Sequence, residues 1–145
     1  MAAPASAIQR LIRKDSPTHR SRHLVLTVTD ASAARRFVAA LAPTVSTAPL
    51  VGPPKGATPL LSVGFSYRGL AALGLRADLL DAFRQHAPAF TAGAVLRAAQ
   101  RLVDSGASAA AHWSEAFQPP QAHLLISLHA DGRAELTAMT AKLQA

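Results

Sequence analysis

The chain has 145 residues, half of them hydrophobic but only five Phe, one Tyr and one Trp, with a formal net charge of +7. That size and composition suit one globular domain around a single core and exclude a disordered chain. The absence of cysteine excludes disulfides, thiolate metal centres and a cysteine nucleophile.

No apolar run approaches the roughly 20 residues that cross a bilayer, and Met1 to Lys14 lacks the apolar core of a secretory signal, so the expected location is the cytoplasm. The positive charge raises nucleic-acid binding, because clustered Lys and Arg release counterions from a phosphate backbone. Arg10, Arg13, Lys14, Arg20 and Arg22 fall within residues 1–22, and no aromatic residue is interleaved there to stack on bases. The reading is a solvated basic tail over 1–22, with nucleic acid not an expected partner.

Residues 23–145 carry the regular signals. His23 to Thr29 is rich in β-branched residues and reads as a strand bounded by Asp30. Asp30 or Ser32 then caps a helix whose Ala34, Phe37, Val38 and Leu41 share one face, and Pro43 ends it. Pro49, Gly52, Pro53, Pro54, Gly56 and Pro59 make Thr44 to Pro59 a loop. In Leu60 to Ser66, Leu61, Val63 and Phe65 alternate with Ser62, Gly64 and Ser66, the period of a half-buried strand. Tyr67 to Leu73 reads as a short helix stopped by Gly74.

Asp78 to Leu102 is helical in pattern but broken at Pro88. Asp104 to Ala111 is a loop of small residues, and His123 to His129 reads as a third strand. Asp131 or Gly132 opens a last helix with Leu136, Met139, Thr140 and Leu143 on one face. The result is β-α-β, a helical insert, then β-α: an α+β, ferredoxin-like arrangement that is incomplete, with three strands where the split βαβ fold has four.

In that strand order the fourth strand would cover the first, so the edge of the first strand is expected to stand open and to need a partner strand. Leu24, Leu26, Val28, Leu61, Val63, Phe65, Leu124, Ile126 and Leu128 form one apolar face for the helices to cover. The other face holds Val25, Thr27, Leu60, Ser62, Gly64, Leu125 and Ser127. It lacks Lys and Glu, so it is expected to pack on another sheet.

The run from Val63 to Leu75, VGFSYRGLAALGL, resembles the strand-to-helix segment of the amino-terminal domain of dye-decolourising (DyP-type) haem peroxidases. Asp104 to Ser108 through His112-Trp113, and the strand His123 to Ala130, are similar in order and spacing, so the resemblance runs from about His23 to the chain end. It implies the dimeric α/β-barrel superfamily: two ferredoxin-like domains with facing sheets and heme b between them. The family's Gly-x-x-Asp-Gly motif, distal arginine and proximal histidine have no counterparts in the matched stretch. The Asp131-Gly132 pair has Leu128 where that motif needs glycine.

Six histidines call for a test of metal or haem binding. His19 and His23 are four apart, but Pro17 and the strand near His23 argue against a helix that would align them. His123 and His129 share a strand face but stand about 20 Å apart, too far for one metal. His86 and His112 read as structural or exposed groups, and Tyr67, Trp113 and Met139 as packing groups. Asp30, Asp78 and Asp131 stand where helix caps are wanted, and Asp78 and Asp81 suit a helix start. Ser66 lacks the glycine frame of a nucleophile elbow.

No catalytic, cofactor-binding or metal residue is therefore assigned. The expectation is the amino-terminal domain of a DyP-type peroxidase, truncated or one part of a split enzyme, inactive alone and expected to lack haem until a haem-binding C-terminal partner chain joins it. The alternative is a non-enzymatic module that forms a homodimer and holds a small apolar ligand or a partner protein, with no membrane partner in either case.

Overall fold

The computed structural model describes residues 4, 7–10, 19–48, 59–118 and 121–144. Arg13, Lys14 and the proline-rich stretch from Pro49 to Gly56 lie outside the described residues. Strands β1 (Arg20–Leu26), β2 (Leu60–Phe65) and β3 (Leu124–Ala130) form one open antiparallel sheet in the order β1-β3-β2. Helix α1 (Ala31–Leu41) links β1 to β2, α2 (Tyr67–Ala72), α3 (Ala77–His86) and α4 (Pro88–Arg97) lie between β2 and β3, and α5 (Arg133–Gln144) follows β3. This is the split βαβ order with β1 at one edge. Among the described residues no helix is long and apolar enough to cross a membrane.

β1 is displaced from its expected span, starting at Arg20 and stopping at Leu26. The stop has a local cause. The Thr27 hydroxyl donates to the Gln121 carbonyl at 2.6 Å and the Val28 N–H donates to the His123 imidazole at 2.9 Å, so side chains take over from ladder partners there. β1 and β3 each have seven residues, and β1 takes in Arg20, Ser21 and Arg22 at its start.

The helix faces follow the sequence pattern. In α1, Leu41 is buried and Ala34, Phe37 and Val38 are half-buried, while Ser32, Ala33, Arg35 and Arg36 are exposed. Asp30 caps it by accepting from the Ala33 N–H at 2.8 Å. In α5, Leu136 is buried and Met139, Thr140 and Leu143 are half-buried. Asp131 makes no cap; the Gly132 carbonyl accepts from the Leu136 N–H at 3.3 Å, and Glu135 reaches back to the Gly132 N–H.

The chain divides into two compact units: unit 1 is Met1–Leu24, Ala39–Val63 and Ile126–Ala145, and unit 2 is Val25–Val38 and Gly64–Leu125. Unit 1 holds most of the buried apolar groups, with Leu41, Leu60, Leu61, Val63, Ile126, Leu128, Ala130 and Leu136 all buried. Burying a side chain such as Ile126 or Leu128 contributes about 1.5–3 kcal/mol.

Unit 2 is tied together by its start and its aromatic cluster. The Ser66 hydroxyl caps α2 by accepting from the Gly69 N–H at 2.9 Å, and the Ser66 N–H donates to the His123 carbonyl at 3.0 Å. Gly69 is needed by close approach, since a Cβ there would lie 2.0 Å from the His123 oxygen. Gly74, at φ +80°, makes the left-handed turn after α2. The Tyr67 and Phe90 rings meet edge to face at 6.4 Å, Phe83 meets Phe90 at 5.3 Å, and the Arg84 guanidinium lies 5.7 Å over Tyr67. After α4 the chain makes a π-helical turn over Ala98–Leu102 that closes on Val103 in the left-handed region, leaving Val103 76% exposed.

Asp78 does not cap α3. The residue before the helix is Arg76, which offers no side-chain cap, and Asp78 instead pairs with the Arg76 guanidinium at 2.7 Å in the first turn. A neighbouring cation outcompetes the helix N–H groups for this carboxylate, and the exposed pair adds little stability.

Candidate functional site

Unit 1 contains two strand edges, and they are finished differently. Along β2, the Gln9 side-chain amide donates to the Val63 carbonyl at 2.8 Å and accepts from the Val63 N–H at 2.9 Å. One carboxamide carries a donor and an acceptor in a plane, so it replaces a neighbouring peptide group. Ser46 does the same for Leu61: its N–H donates to the Leu61 carbonyl at 2.8 Å and its hydroxyl accepts from the Leu61 N–H at 3.0 Å. The Gln9 and Ser46 segments pair in turn, through Arg10 N–H to Ser46 carbonyl and Ala48 N–H to Ile8 carbonyl, both 2.8 Å.

Along β1 the described residues give no counterpart. Among the described residues no side chain or backbone group bonds the outer row of Arg20–Leu24. Arg20, Ser21 and His23 are exposed, and Arg22 turns to α5, donating to the Thr140 hydroxyl at 2.7 Å. An unpaired row of N–H and C=O groups is a template for another strand.

On the same strand lies the one close grouping of titratable side chains in unit 1 among the described residues. His23 Nδ1 is 2.9 Å from the Ser127 hydroxyl on β3, and the His23 and His129 rings are 6.0 Å apart, nearly perpendicular. Ser127 is buried, His129 half-buried and His23 exposed. Burial, and then the neighbouring His23, push the His129 pKa below its ordinary 6.5. The grouping can hold a ligand that prefers neutral imidazole, or it can respond to protonation.

The sequence pairs of histidines resolve differently from one another. His19 lies in a bend before β1, so no helix brings it onto one face with His23. His123 is buried beyond the start of β3 with its Nδ1 engaged by Val28, and the partner of His129 is His23. Period-two reading alone did not find that pairing, although His23 on the face of Val25 and an antiparallel β3 would have placed His129 diagonally across. His86 ends α3 and His112 lies in a short 3-10 turn, both exposed. Trp113 donates its indole N–H to the Ser108 carbonyl at 3.2 Å.

An axial haem ligand needs a free imidazole nitrogen at the floor of an apolar slot. The described histidines do not fit that requirement: His19, His23, His86 and His112 are exposed, His123 is engaged, and His129 faces another imidazole.

Among known families, the model of the DyP dimeric alpha+beta barrel domain matches residues 8–145. No curated protein matches the chain.

Proposed function

Because the chain belongs to the DyP dimeric α+β barrel domain family, we propose that it serves as the amino-terminal scaffold half of a DyP-type haem peroxidase. In this reading heme b, its proximal histidine and the distal Gly-x-x-Asp-Gly motif come from another segment, in the same polypeptide or in a separate haem-binding chain. The residues described here supply a sheet, and catalysis waits on assembly. Haem, once bound in the assembled protein, would supply the peroxide chemistry.

The observation that carries this reading is the open β1 edge beside a sealed β2 edge, in a domain of the matched family. Among the described residues the edge without partners is the one on the side where the split βαβ fold adds its fourth strand, which supports a domain completed by more protein. The test is to purify the chain with haem supplied, record the Soret band and follow dye oxidation with peroxide. The chain alone is expected to give neither a stoichiometric Soret band nor turnover, and both should appear on co-expression with a segment that carries the distal motif and the histidine. Stoichiometric haem with turnover by the chain alone overturns the proposal.

A second reading, a non-enzymatic homodimer, draws support from the description of the family's domain as dimeric. Light scattering separates the two, since a stable dimer that gains no activity with the haem-binding segment favours the module.

A further inference from the structure

We infer that His23 and His129 form a binding site for a divalent transition-metal ion of the imidazole-preferring class, with zinc as its simplest occupant. The inference stands apart from the peroxidase reading, because it concerns an ion held on the surface of unit 1 and involves no haem.

Zinc lies about 2.0–2.1 Å from an imidazole nitrogen, and a ring centre lies about 1.2 Å farther on, so two rings sharing a tetrahedral ion have centres about 5.3 Å apart, rising to about 6.5 Å if they stand opposite. The observed 6.0 Å falls inside that range. The rings stand at 81° to one another, so sharing an ion would require rotation about side-chain torsions.

The surroundings prepare both rings. Ser127, only 9% exposed, holds His23 by Nδ1 at 2.9 Å. When Nδ1 carries the hydrogen and donates to that hydroxyl, the Nε2 lone pair is free for an ion, the role that outer partners play for metal-bound histidines. His129 makes no hydrogen bond among the described residues, and its burial and its neighbour disfavour the charged form, so near neutral pH it presents the ligand state.

Imidazole donors suit zinc, copper and nickel, and not the hard cations magnesium and calcium. Among the described residues no third His, Cys, Asp or Glu joins the pair. The remaining positions go to water, which makes this an open site, weaker than a four-ligand structural centre.

The experiment is a calorimetric titration of zinc chloride into the tag-free, chelator-treated full chain near pH 7.5, with imidazole nitrogens followed by NMR. The expected result is one zinc per chain, with shifts confined to His23 and His129. His23→Gln and His129→Gln should each weaken binding about tenfold or more, Ser127→Ala by about tenfold through lost orientation, and His112→Gln in unit 2 not at all. His23 is exposed, so His23→Gln keeps the fold and serves if the His129 variant unfolds, with circular dichroism as the check. No saturable binding at about 1 mM zinc, or binding unchanged in the double variant, overturns the site.

Discussion

The two strand edges of unit 1 differ in how their backbone groups are satisfied, and the difference separates groups that the described residues pair from groups that they leave to solvent. β2 ends in a Gln9 carboxamide and the Ser46 backbone and hydroxyl, which between them bond both polar groups of Val63 and Leu61. β1 ends in exposed Arg20, Ser21 and His23, with no such bonds among the described residues. Burial explains the asymmetry. Leu61 and Val63 are buried, so their polar groups need partners, whereas the exposed start of β1 can be served by water.

The largest expected effect lies where β2 runs on into α2. Gly69→Ala would drive a Cβ to within 2.0 Å of the His123 carbonyl oxygen, which is backbone and cannot swing aside. A loss of about 3 kcal/mol or more is expected from such overpacking, read from urea unfolding. A loss under about 1 kcal/mol would show that this junction has room to give.

Next comes the seal itself. Gln9→Ala removes two hydrogen bonds and leaves the Val63 N–H and carbonyl unpaired, with an expected loss of about 1–3 kcal/mol and new self-association in light scattering. Ser21→Ala on the open edge should stay within about 0.5 kcal/mol. Equal effects at the two positions would erase the contrast between the edges.

The smallest effect sharpens the open side. The folded pKa of His129 is lowered, so the unfolded chain takes up its proton first. The group therefore leaves stability unchanged well above pH 6.5, subtracts from it as the pH falls through 6.5 toward the folded value, and adds no further change below that. His129→Gln should flatten this part of the stability profile, measured by thermal unfolding between about pH 5 and 8. An unchanged profile would remove His129 as the responsible group.

Much of the fold was legible in the sequence because the signals are local. Leu61, Val63 and Phe65 alternate, and Leu136, Met139, Thr140 and Leu143 recur on one helical face; burial in the structure follows both patterns except that Phe65 is only half-covered. The Asp30 cap was legible too, since capping acts over three residues. Asp78 misled because its carboxylate had a choice of partners, and composition does not rank Arg76 against helix N–H groups. The ends of β1 misled because Thr27 and Val28 have strand-forming side chains, while what ends the strand is the pairing of Val28 with His123 across the chain.

The sequence by itself determined the element order, the helix faces, the apolar side of the sheet and the resemblance that the family match bears out. Only the tertiary structure decided that Gln9 closes one edge from 54 residues away and that His23 meets Ser127 across 104 residues. Periodicity reports which side of an element faces the core. It carries no information on which distant side chain fills the last hydrogen-bond position of a strand, because that depends on register, reach and the groups competing for the same place.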